Sequence, residues 1–240
     1  MDRESFSNDL IEKAKKVNVE IDKIKEEQFY EYMKLLIEWN EKINLTAIIE
    51  QNDIILKHFI DSITINKYIK DSDTIMDIGT GAGFPGIPLK IMNSDKKFVL
   101  LDSLNKRINF LNQVCEELRL KNIKCIHARA EELANNEEHR ELYETVVSRA
   151  VARLNVLLEY MLPFVKVGGL CICMKGPNIE EELKEAEKAI LVLGGKLEKV
   201  ENFLLPESDI ERNIVIIKKI KNIPNQYPRK AGLPSKQPIV

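Results

Sequence analysis

After Asp71 the chain alternates short apolar runs with longer helix-like stretches, and this alternation restricts the fold more than any other feature. The runs are Thr74 to Ile78, Phe98 to Leu101, Ile123 to His127, Val146-Val147 ahead of Ser148 and Arg149, and Leu170 to Met174 behind a Gly168-Gly169 turn. Between them, Pro85 to Met92, Lys106 to Leu118, Leu154 to Phe164 and Ile179 to Leu193 read as helices. Strand and helix in this repeated order predict a parallel sheet covered on both faces. Two further strands, Leu197 to Leu204 and Asn213 to Lys219, are separated only by Pro206-Glu207-Ser208-Asp209. So short a link allows a hairpin but no crossover, and the last strand is expected to run antiparallel.

The part before Asp71 has a different period. Phe29, Tyr32, Met33, Leu36 and Ile37 recur at steps of three and four, flanked by Glu31, Lys34 and Glu38. A second helical segment is expected over Asn52 to Ile69, with Ile55, Phe59 and Ile63 on one face. The division predicted is a helical extension over 1–70, an α/β domain over 71–220 and a basic tail over 221–240. That fits 240 residues, because single domains run to roughly 100–200.

Composition narrows the partners. From Arg212 to the end there are seven basic residues and no acid, so the remainder carries 29 bases against 38 acids. A basic tail on an acidic body suits an anionic partner, although a solvated terminus has the same composition. No apolar run reaches the ~18 residues of a membrane span, and the opening residues lack the order of a secretory signal, so a cytoplasmic protein is expected. Cys115, Cys125, Cys171 and Cys173 form no Cys-x-x-Cys pair, and His58, His127 and His139 are scattered. The cysteines read as reduced core residues, and no metal site is expected.

The chemistry concentrates where the first strand ends. Asp77-Ile78 runs into Gly79-Thr80-Gly81-Ala82-Gly83, with Phe84 next and Pro85 placed to open a helix. Glycines there let the backbone turn tightly and approach a ligand closely. Gly81, Gly83 and Gly86 satisfy G-x-G-x-x-G, but in that dinucleotide fingerprint the first glycine follows the strand directly. Here the strand leads into Gly79, with an acid two residues earlier, which favours a small nucleoside cofactor over a pyrophosphate. Asp102 ends the second strand where a carboxylate would receive two ribose hydroxyls, and Ala130-Glu131 follows the third where an adenine could lie. Each has a plainer reading: Asp102 as a helix cap, Glu131 as a first-turn acid.

The string MDIGTGAGFPGIP from Met76, with LLDSLNKR from Leu100 and VSRAVARL from Val147, resembles the RsmG (GidB) family. EWNEKINLTAI, KHFIDSI, HARAEEL and RKAGLPSKQPI extend the likeness over nearly the whole chain. The resemblance implies a class I methyltransferase sheet (Rossmann-like, mostly parallel), S-adenosylmethionine as cofactor, and guanine-N7 methylation of 16S ribosomal RNA. It further implies that Gly79, Phe84, Ala130, Glu131 and Arg149 contact the cofactor, with Asp102 and Ser103 added to them. Asp77 and Gly81 join this set from the turn itself.

Two methyltransferase signatures are missing. No Asn/Asp-Pro-Pro-aromatic motif follows the fourth strand, which ends in Ser148-Arg149-Ala150-Val151, and Cys171 and Cys173 alternate along a strand as core residues do. Guanine N7 carries an in-plane lone pair and no proton, so its methylation needs no general base. Arg149 and Lys175 stand at strand ends as candidate catalytic donors, and Arg229 and Lys230 as candidate substrate-binding residues. The plainer readings are a cap or ion pair for Arg149 and solvated charge for the others. The expected partner is 16S rRNA or a small-subunit assembly intermediate, met by a monomer. The competing functions are a nicotinamide oxidoreductase and a non-catalytic RNA-binding protein with a cofactor fold.

Overall fold

A computed structural model describes residues 2–240. The extension begins with α1 (Arg3–Lys16) and α2 (Lys23–Ile43), whose N-termini are capped by the Asp2 and Asp22 carboxylates. α2 buries Phe29, Tyr32, Met33 and Leu36 on one stripe, and Asn44 ends it in the left-handed region at φ +48°. Burying each such side chain is worth roughly 1.5–3 kcal/mol, and the partners are Phe6, Phe59, Ile87 and Phe110. The segment expected as one helix over Asn52 to Ile69 is broken into pieces. α3 (Gln51–Ile54) opens into a π-helical turn over Ile55–Ile60, then α4 (Asp61–Ile63), and a single 3-10 turn follows at Asn66–Tyr68. Ile55, Phe59 and Ile63 still share the core, while the wide turn leaves His58 and Asp61 directed at the strand ends.

The α/β part contains β1 (Thr74–Ile78), α5 (Gly86–Met92), β2 (Lys97–Asp102), α6 (Asn105–Glu117), β3 (Ile123–His127), α7 (Ala130–Leu133), β4 (Tyr143–Arg149), α8 (Leu154–Met161), β5 (Val165–Lys175), α9 (Ile179–Val192), β6 (Gly195–Leu204) and β7 (Glu211–Lys219). The strand order is β3-β2-β1-β4-β5-β7-β6. β1 to β5 pair in parallel, and β7 runs antiparallel to both β5 and β6, as the short hairpin link requires.

Side-chain alternation explains why the sheet is covered on both faces. Cys171 and Cys173 join the cluster under α8 and α9, with Met161, Ala186 and Ile190. Ile172 and Met174 face the opposite cluster, with Ile65, Leu89 and Ile214. One detail differs from expectation. Gly168 and Gly169 lie inside β5 as an irregularity, because Tyr143 pairs with Val165 and Thr145 with Leu170. The extra residues are absorbed by a bulge, which glycine at φ +88° permits, so the strand starts five residues earlier. Chain direction away from β1 reverses between β2 and β4, and ligands of such sheets bind at the carboxyl ends beside that switch point.

The last twenty residues fold back over the domain. Ile223 and Ile239 enter the α8–α9 cluster, and a short helix between them, α10 (Leu233–Lys236), lies against α8. No described helix is long and apolar enough to cross a membrane.

Candidate active site

The turn after β1 is held from three sides. Gly79 and Thr80 donate their amides to Leu101 O at 2.9 and 3.1 Å, tying the turn to β2. Gly79 has φ +65°, and a Cβ there would meet Val151 Cγ2 at 2.6 Å, so both conformation and space require glycine. From below, Asp77 Oδ2 accepts Thr80 Oγ1 at 2.6 Å and the Gly86 amide at 2.8 Å. From the helical extension, the buried Tyr32 hydroxyl donates to Ala82 O. Asp77 is fully buried and its Oδ1 has no partner; burial pushes its carboxyl up to about 7, against the opposing pull of the Thr80 and Gly86 hydrogen bonds. It lies behind the turn, braces it, and lines neither adjoining hollow. Gly86 opens α5 with its amide on Asp77, and a Cβ there would run into Leu100 Cδ2, so glycine lets this helix pack closely on β2.

Two hollows flank the turn and share Gly79, Asp102, Ser103 and Val151. One, of about 190 Å³, reaches from the turn to Ala130 and Glu131; the other, of about 400 Å³, passes Gly81, Phe84 and Arg149. Asp102 Oδ2 accepts the Gly81 amide at 2.9 Å and Arg107 Nη1 at 3.2 Å, and Oδ1 accepts the Leu104 amide at 2.9 Å. Three of the roughly four acceptor positions of the carboxylate are used in this way, which leaves one for a ligand hydroxyl beside the cap role. Glu131, 7% exposed, accepts the Gly232 amide at 2.8 Å through Oε1.

Beyond Phe84 the site becomes cationic. The Arg149 guanidinium lies over the Phe84 ring at 5.1 Å. It donates to Lys57 O and Asp61 Oδ2, both at 3.0 Å, and to His58 Nδ1 at 3.1 Å. Because arginine can only donate, His58 carries its proton on Nε2 and gives it to Thr46 Oγ1 at 2.9 Å. His58 stacks on Phe84 at 4.3 Å between centroids. Burial, and then the neighbouring Arg149 charge, hold its pKa down at about 3, so it stays neutral. Asp61, 1% exposed, also receives Arg212 Nε at 3.1 and 3.2 Å. Next to this group a third hollow of about 360 Å³ is bounded by Ile48, Asp61, Arg149, Met174, Lys175 and Arg212. It meets the 400 Å³ hollow at His58, Arg149 and Ala150. Ala150 has φ +55°, a backbone conformation that costs an ordinary residue about 1–3 kcal/mol and recurs at working sites.

The structure thus brings Gly79, Gly81, Phe84, Asp102, Ser103, Ala130, Glu131 and Arg149 around two connected hollows. Lys175 borders the third, but its Nζ is committed to Glu182 and Ala152 O, both at 2.7 Å. Arg229 is drawn away from the site onto Glu159, and Lys230 is exposed. His58, Asp61, Arg212 and Tyr32 took no site role from the sequence. The i, i+3 spacing of His58 and Asp61 was the available signal, and it names a helix face without naming what the face meets.

This sheet and turn define the class I methyltransferase fold. The fold is shared with TYW2 of M. jannaschii, solved in complex with AdoMet (TM-score 0.52, 16% identity, 67% of this chain and 77% of that one). It is shared too with a ribosomal protein L11 methylase of Lactobacillus delbrueckii (TM-score 0.53, 12% identity, covering 69% and 79%). Residues 25–215 match the family model described as rRNA small subunit methyltransferase G. The chain is 55% identical to the ribosomal RNA small subunit methyltransferase G of Clostridium tetani, over 93% of this chain and 94% of that one. It is 53% identical to that of Alkaliphilus oremlandii, over 96% and 97%. The chain belongs to the rRNA small subunit methyltransferase G family.

Proposed function

We propose that this protein transfers the methyl group of S-adenosylmethionine to N7 of a guanosine in a loop of 16S rRNA, by in-line attack and without a general base. One observation carries the reading: the cofactor hollow opens at Arg149 and Ala150 into a second hollow whose polar groups are already engaged. His58 uses both ring nitrogens and stays neutral, Asp61 is paired with two arginines, and no cysteine lines either hollow. An acceptor that must lose a proton would find no base there, whereas N7 needs none.

In this reading Gly79, Gly81, Phe84, Asp102, Ser103, Ala130, Glu131 and Arg149 hold the cofactor, with Asp77 bracing the turn. The fit is supported by the bare backbone at Gly79, the acceptor capacity left on Asp102, and hollows of the size that small molecules occupy, roughly 300–1,000 Å³ together with their neighbours. S-adenosylmethionine supplies an electrophilic sulfonium methyl when bound. The guanine would enter from the 360 Å³ hollow, where Arg149 would supply positive potential near its O6 edge and Lys175, paired with Glu182, shapes the wall. Transfer to N7 would leave a positive charge on the guanine, beside Arg149 and Arg212. Asp61 offsets one of the two arginines, which limits repulsion of that cation. Lys230 serves the RNA backbone from the rim, with Arg229 as its anchor on Glu159. Residues 1–70 act as the cover of a site carried by 71–220, and residues 221–240 as the tail. The protein acts as a cytoplasmic monomer, on 16S rRNA or on an assembling small subunit.

The test is labelled S-adenosylmethionine with small ribosomal subunits and with naked 16S rRNA, followed by mapping of the modified nucleotide. Label on a guanine N7 supports the reading. Label on a base position that must lose a proton, or none on rRNA beside a working control, defeats it.

A further inference from the structure

We infer that residues 228–240 are part of the cofactor site: they form the outer wall of its adenine end and hold Glu131 in place through a backbone hydrogen bond. The inference rests on the cofactor reading above and adds Gly232, Ser235 and Tyr160 to it.

The segment is fastened at separate points. The Arg229 amide donates to Glu159 Oε1 at 2.8 Å, and the guanidinium grips the same carboxylate with Nε at 2.9 Å and Nη2 at 2.5 Å. Glu159 is fully buried on α8, and a two-pronged arginine on a buried carboxylate is a strong, directional anchor. Three residues on, the Gly232 amide reaches Glu131 Oε1 at 2.8 Å, from a backbone at φ +79° that glycine adopts without strain. The Tyr160 and Ser235 hydroxyls meet at 2.8 Å, and Ile239 is buried in the α8–α9 core.

These contacts place Gly232, Ser235 and Tyr160 on the lining of the 190 Å³ hollow, together with Ala128 and Ala130. Glu131 thereby has its orientation set by the tail before any ligand arrives, so it loses less rotamer freedom on binding than an unguided glutamate would. A nucleoside filling the hollow touches the sheet on one side and the tail on the other. Cofactor binding and tail docking then favour each other by the same factor.

Two experiments on the full chain test this, and neither involves RNA. In the first, Arg229→Gln loosens the anchor, and calorimetry with S-adenosylhomocysteine should show Kd raised about tenfold. In the second, trypsin cleavage of the wild-type chain after Lys230 and Lys236 should slow at least fivefold at saturating S-adenosylhomocysteine, because cleavage follows the undocked population. Should the variant fail to fold, the wild-type digestion still decides. A variant Kd within twofold of wild type, or digestion indifferent to ligand, overturns the wall while leaving the cofactor reading intact. A wild-type chain that does not bind S-adenosylhomocysteine at all overturns the cofactor reading and the wall with it.

Discussion

Arg149 donates to Asp61 Oδ2 at 3.0 Å, which joins the tip of β4 to the helical extension packed above it. Arg212 from β7 meets the same carboxylate at 3.1 Å, so one buried acid ties its own segment to two others, 88 and 151 residues away. The cationic end of the site depends on that acid for its shape.

Asp61→Ala leaves two arginines facing each other without a counter-charge. Breaking a buried pair by removing one partner costs roughly 3–5 kcal/mol, and the partial exposure of Arg212 places this one at the low end. The urea midpoint should fall accordingly, and rRNA methylation by at least tenfold. A wild-type midpoint would show the pair to be inert.

Gly79→Ala forces a side chain into a left-handed backbone and onto Val151. The strain is about 1–3 kcal/mol, and its relief would move the turn away from β2. S-adenosylhomocysteine affinity should drop at least tenfold by calorimetry, with a smaller fall in melting temperature. Equal affinity would mean that the turn does not shape the site.

Tyr32→Phe removes the hydroxyl that Ala82 O accepts and leaves a buried carbonyl unpaired. That costs about 1–3 kcal/mol. The prediction is a lower unfolding midpoint together with weaker cofactor binding, since the extension then no longer holds the turn. Loss of stability with unchanged binding would separate the extension from the site.

Asp77 gives a pH signature. Its carboxyl titrates near 7 in the folded protein and near the ordinary 3.8 when unfolded. Between those values the folded state keeps a proton that the unfolded state has lost, so this group's contribution is complete below about pH 4 and disappears as pH rises through 7. Asp77→Asn removes the titration and keeps an amide oxygen for Thr80 and Gly86. Wild-type stability relative to the variant should therefore decline from pH 5 to pH 8 in parallel denaturation series. A constant difference would place the folded pKa outside that window.

The strand–helix alternation, the antiparallel last strand, the Gly79 turn and the acids at 102 and 131 were all readable along the chain. The reason is that each depends on local rules: side-chain periodicity, loop length, the conformations open to glycine, and the alignment of parallel strand ends. Tertiary packing alone decided which side chains converge on the site. Tyr32 lies 50 residues from Ala82, His58 lies 91 from Arg149, and Glu131 lies 101 from Gly232. The π-helical turn that aims His58 and Asp61, and the return of a basic tail onto Glu159 and Glu131, leave no mark in composition or spacing. Such contacts arise when whole faces bury together, and a linear pattern records which face is apolar without recording what it covers.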